Sequence, residues 1–154
     1  SIVVYAIFHI NFASANDYSI CTTYTDLDAA APCGENGYAL NFGYPICRAF
    51  IDNEWKFTTD GQAFLNCVRS CLTDFIRTDI ITKNVTDCTA INNDAFSSHL
   101  PCYTRCNFCD VVLRNILPFA LTYQISNFLS VNAIEQVAAV AIQCLSNLSN
   151  CLLG

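Results

Sequence analysis

Pro45–Ile76, PICRAFIDNEWKFTTDGQAFLNCVRSCLTDFI, is the stretch whose reading decides the fold. Pro45 opens a first short helix, because the first helical position needs no N–H. Thr59-Asp-Gly-Gln62 reads as a capping box, the threonine hydroxyl taking an orphan N–H and Gln62 reaching back. A second helix then carries Phe64, Cys67, Val68, Cys71, Leu72, Phe75 and Ile76 on one face at helical spacing. Cys67 and Cys71 lie one turn apart on that face, which is expected to be buried. Cys102 and Cys106 repeat the interval behind Pro101. If the two helices run antiparallel, Cys71 meets Cys102 and Cys67 meets Cys106. Otherwise two of the four are small buried side chains.

Working outward, 154 residues at 53% hydrophobic and 13% charged are enough for one folded domain and argue against disorder. A net charge of −6 with seven Lys and Arg excludes a nucleic-acid surface. Eleven cysteines require either an oxidising compartment or bound metal. The N-terminus favours the first. Ile2–Phe12 is apolar, too short to span a bilayer, and runs into Ala13-Ser14-Ala15, an A-x-A cleavage signal. Residues 1–15 therefore read as the tail of a secretory leader, with its front missing. The competing reading is a first core strand. Two sequons, at Asn84 and Asn147, fit a secreted glycoprotein. The apolar region from Val111 to Leu145 is interrupted by Arg114, Pro118, Gln124, Asn127, Asn132 and Glu135, so no membrane span is expected.

Residues 16–44 hold Cys21, Cys33, Pro32, Gly34 and Gly37 and read as a loop-rich arm. Helices are expected over about 45–53, 60–77 and 101–117, then 119–129, and a last one reaching about 148. The polar stretch 78–93 carries Cys88, and His99-Leu-Pro101 marks a break. Cys102, Cys106, Cys109, Leu113, Ile116 and Leu117 form one expected face. Ile134, Val137, Ala138, Ala141, Ile142, Leu145 and Leu148 form another. No strand alternation stands out. The expected fold class is all-α: a disulfide-stapled antiparallel helical bundle, residues 16–154 forming one domain.

The sequence offers little reactive chemistry. His9 falls in the leader, which leaves His99, and a lone histidine is usually a surface or capping residue. No G-x-S-x-G, H-E-x-x-H or Gly-rich phosphate loop is present. Cys102-x3-Cys106-x2-Cys109 has the spacing of an iron–sulfur cluster motif, but that chemistry needs a reducing compartment. Zinc partners at matching spacing are missing, and no acidic loop of EF-hand form occurs. No catalytic residue, metal site or cofactor is expected. Trp55, Lys56 and Phe57 form a candidate surface patch, although aromatic burial favours Trp55 and Phe57 as core.

Ile46-Cys47-Arg48-Ala49-Phe50, then Lys56-Phe57, Gly61-Gln62-Ala63-Phe64 and Cys71, resembles the signature of the stanniocalcin family of secreted glycoprotein hormones. The steps from Cys88 to Cys102, Cys109 and Cys144 agree with that family's framework, and Cys102-Tyr103 is similar to its C-Y pair. The resemblance covers about residues 44–144. It implies bridges Cys71–Cys102, Cys109–Cys144, Cys33–Cys88 and Cys21–Cys47. Cys67 and Cys106 match no family cysteine, consistent with an extra rung between them. Cys151 is left over and is the candidate for an intermolecular bond in a disulfide-linked homodimer. The step from Cys71 to Cys88 is one residue longer than the family's. The arm has two cysteines where the family has four, and the chain stops soon after Cys144. A divergent, invertebrate-like or partial member is expected.

What the resemblance implies is an extracellular signalling protein with roles in calcium and phosphate homeostasis. In vertebrate members it also implies inhibition of a secreted metalloprotease, so the partner would be a receptor or such a protease. The rival reading is a saposin-like helical lipid-binding protein.

Overall fold

The computed structural model describes residues 16–125, 139–140 and 142–146. Among them there are helices and turns and no strand. A 3-10 turn at Ser19–Cys21 leads into α1 (Thr22–Ala30). A wide π turn at Ala39–Gly43 runs into α2 (Tyr44–Asn53), and a 3-10 turn at Glu54–Lys56 precedes α3 (Thr59–Phe75). That helix widens into a π segment, Ile76–Ile81. Then come α4 (Cys88–Ser97), α5 (His99–Arg105), α6 (Phe108–Val112) and α7 (Ile116–Ile125). Residues 139–140 and 142–146 are also helical. The all-α, disulfide-stapled class holds.

Residues 16–44 are not a loop-rich arm. Tyr24 and Leu27 of α1 are buried, as is Thr23, whose hydroxyl accepts from Arg77 Nη2 at 2.6 Å. Its three threonines and two aspartates have poor helix propensity, so tertiary burial overrides the local signal. Gly43 lets α2 approach closely: a Cβ there would meet the Tyr24 ring at 2.4 Å.

The cap of α3 sits one residue before its expected place. Thr58, not Thr59, is the N-cap, its hydroxyl accepting from the Gly61 N–H at 3.3 Å. Gln62 Nε2 donates to the Phe57 carbonyl rather than closing the box. The buried face of α3 is also rotated from the expected one. Gly61, Phe64, Leu65, Val68, Arg69 and Thr73 point inward, while Cys67 is exposed and Cys71 half-buried along one edge.

The expected helix over 101–117 is cut twice. Asn107 adopts a left-handed conformation (φ 62°), which asparagine tolerates, and ends α5. A turn over 113–115 separates α6 from α7. Pro101 and Pro118 each occupy the third position of a helix, where the first turn has no intrahelical N–H bond to lose. This rearrangement leaves Leu113, Ile116 and Leu117 exposed instead of buried, together with Ile142 and Leu145. The remaining residues expected on the last helix, and the expected leader, lie outside the described residues.

Two aromatic groups fill the interior. Phe50, Phe57, Phe64, Phe108 and Phe119 pack largely edge to face, as Phe57 and Phe119 do at 5.0 Å. Tyr38, Phe42, Phe96 and His99 form the second group, joined to the first through Tyr103.

Candidate functional site

Sulfur chemistry organises the molecule. Cys67 is bonded to Cys106 and Cys71 to Cys102, with Cα–Cα distances of 5.8 and 5.7 Å. The lower number on one helix meets the higher on the other, so α3 and α5 run antiparallel here. Cys21–Cys47 fastens the start of α1 to α2, and Cys33–Cys88 fastens the turn after α1 to α4. Cys109–Cys144 fastens α6 to the helical residues 142–146. All five Cα–Cα separations, 5.2–5.8 Å, suit a disulfide. Cys102, Cys106 and Cys109, spaced like a cluster motif, each serve a different bridge and share no site. Among the described residues no group of His, Cys, Asp or Glu could hold a metal ion.

The sequons divide. Asn84 is exposed, in the turn after the π segment, with φ 54° and its N–H donating to the Ile81 carbonyl. Asn147 lies outside the described residues, as does Cys151.

His99 is not on the surface. It is 5% exposed, with Phe96 stacked on it and Tyr38, Phe42 and Tyr103 around it. Nδ1 lies 3.1 Å from both the Ala95 and Phe96 carbonyls, so Nδ1 carries the proton and donates. Burial pushes its pKa down to about 4. Burial likewise raises the Tyr24, Tyr38 and Tyr103 hydroxyls above their ordinary range. The imidazole is a neutral core group. Between about pH 6.5 and 4 the unfolded chain takes up a proton that the folded chain refuses. Stability therefore falls with falling pH across that window, by up to about 1.4 kcal/mol per pH unit. Urea midpoints measured from pH 7 to pH 4 should show this slope, and His99→Phe should flatten it.

Trp55 and Phe57 part company. Phe57 is 4% exposed and joins the aromatic core, whereas the 3-10 turn places Trp55 outside at 75%. Trp55 borders a groove of about 730 Å3 whose wall includes Asp17, Asp52, Glu54 and Arg69. Arg69 Nη2 donates to Glu54 at 2.9 Å and to Asn66 Oδ1 at 2.5 Å. Nothing in the sequence singles out this arginine, because it sits on the buried face of α3. Asn115, fully buried between α6 and α7, was equally hidden: it holds the N-terminus of α3 through Thr58.

These features define a class: a helical scaffold braced by disulfides, with no reactive centre among its described residues and with polar and aromatic surface available for recognition. Compared with protein-family models, the sequence matches the Stanniocalcin family over residues 13–152. The chain belongs to that family. Membership supports a hormone-like, secreted protein. No solved structure matches it. No described helix is long and apolar enough to cross a membrane.

Proposed function

We propose that this chain is an extracellular signalling protein that acts by surface recognition, with a role in calcium and phosphate homeostasis. The family match over residues 13–152 carries the reading. Inhibition of a secreted metalloprotease is the mechanism it favours, a rigid helical body blocking a protease surface. Residues 1–15 serve as a leader removed on export, Asn84 accepts a glycan, and Cys151 links two chains into a homodimer. Five bridges support an oxidising destination.

Expression in a secreting eukaryotic cell, with an initiator Met and basic residues placed ahead of Ser1, tests the route. The protein is expected in the medium with Asn16 as its first residue, as a dimer that separates on reduction. Retention inside the cell would overturn the reading. Asn84→Gln should raise gel mobility by one glycan, to the position reached by enzymatic deglycosylation. Calcium uptake by an ion-transporting epithelium exposed to purified protein tests the physiological role, and an unchanged flux removes it.

The exposed Leu113, Ile116, Leu117, Ile142 and Leu145 favour a second reading, lipid binding. The cavity between Tyr24, Tyr38, His99 and Tyr103 is about 30 Å3, room for one water and not for an acyl chain. Lipid would have to bind on the surface. Mass spectrometry of an organic extract of purified protein decides: co-purified lipid at one molecule per chain favours the carrier.

A further inference from the structure

The groove beside Trp55 takes no part in the disulfide framework, since no cysteine lines it. Its volume of about 730 Å3 falls within the range of ligand clefts. Its electrostatics are lopsided. Asp17, Asp52 and Glu54 share the wall with one guanidinium, Arg69, which is already paired with Glu54. Asp52 accepts only neutral donors, Asn16 Nδ2 at 3.0 Å and the Tyr18 hydroxyl. Asp17 accepts from the Ser19 N–H at 2.9 Å. Two carboxylates therefore have no cation among the described residues.

Arg69 is 8% exposed and its Nη1 is itself buried, so the guanidinium stays with Glu54 and Asn66 and offers no donor to a ligand in the groove. Trp55 completes the site. Lys56 Nζ lies 5.4 Å from the indole centroid, which leaves most of the ring open at the groove's edge. An exposed tryptophan beside an arginine is the composition of a binding hot spot.

A ligand that answers both features, the unpaired carboxylates and the open indole, carries positive charge on an aliphatic stem. We infer that the groove docks an extended basic segment of a partner protein. A lysine or arginine of that segment places its charge on Asp52 and Asp17 and its methylenes on Trp55. This rests on reading the protein as a recognition module, and its failure would leave that reading standing, because other surfaces remain.

The chain's single tryptophan makes Trp55 fluorescence a direct probe. Purified, disulfide-intact protein is titrated with a blocked Ala-Arg-Ala-Arg-Ala peptide, and with its Gln and Glu counterparts, at low salt. Saturable change is expected with the arginine peptide alone. Asp17→Asn combined with Asp52→Asn should weaken it roughly tenfold or more. Asp26→Asn combined with Asp94→Asn, the same change in net charge at exposed positions outside the groove, should leave it unchanged. Trp55→Ala, read by calorimetry, should also weaken binding, and this exposed site tolerates truncation. Equal response to the glutamine peptide, equal loss in the two charge-matched doubles, or no saturation at millimolar peptide would overturn the proposal.

Discussion

Removing both rungs between α3 and α5 should destabilise the protein by about 6 kcal/mol, while removing either alone should cost only about 2.5 kcal/mol. The difference follows from loop closure in the unfolded chain. Cys71–Cys102 spans 31 residues and Cys67–Cys106 spans 39. Either bridge closes a long loop when alone, worth about 3.7 kcal/mol by chain entropy. With one in place, the other closes only the short remaining circuit through Cys67–Cys71 and Cys102–Cys106, worth about 2.5 kcal/mol. The second removal is thus the costlier one. Guanidinium unfolding of Cys67→Ala/Cys106→Ala, Cys71→Ala/Cys102→Ala and the quadruple variant measures this. Additive losses in the quadruple variant would show that the rungs act through native-state packing rather than through the unfolded chain.

Asn115→Ala should cost about 4 kcal/mol, an unusual loss for an asparagine. Asn115 is fully buried, and Oδ1 accepts from the Thr58 N–H at 2.9 Å and from its hydroxyl at 3.1 Å. Nδ2 donates to the Val111 carbonyl at 2.8 Å. One side chain thus ties the N-cap of α3 to the last turn of α6. Truncation strands the buried Val111 carbonyl, about 1–3 kcal/mol, and the part-buried Thr58 N–H, and leaves a void. Gly61 is the other half of the fit, since a Cβ there would lie 2.6 Å from Asn115 Oδ1. Gly61→Ala should therefore cost about 2 kcal/mol through overpacking. With Asn115 already alanine the added methyl fills vacated space, so the double variant should be more stable than the two losses together predict. Urea midpoints of the three variants check both the sign and the coupling.

The contrast with the sequence is instructive at those residues. Helices α2 and α3 are legible because Pro45 falls in the first turn of the one and a long apolar face marks the other. The cap of α3 shifts by one residue because Thr58 and Thr59 are adjacent, and Asn115, distant in sequence, selects between them. The helix over 101–117 is misread because apolar periodicity continues across Asn107, whose left-handed φ leaves no mark on that pattern. The period is real locally, yet the break turns Leu113, Ile116 and Leu117 outward. Helix α1 escapes notice because a bridge and a contact from Arg77 hold it, neither of which is local. His99 is misplaced for a related reason: the aromatic rings that bury it come from elements as far apart as Tyr38 and Tyr103. The groove is invisible in sequence because Asp17, Asp52 and Arg69 are brought together only by the fold.

The turn that carries Asn84 also carries exposed Lys83, a cleavage point for a trypsin-like enzyme on any molecule whose Asn84 bears no glycan. A cut there falls inside the loops closed by Cys71–Cys102, Cys67–Cys106 and Cys33–Cys88. The two fragments would stay covalently joined at three places, so a nicked molecule remains one particle until something reduces it.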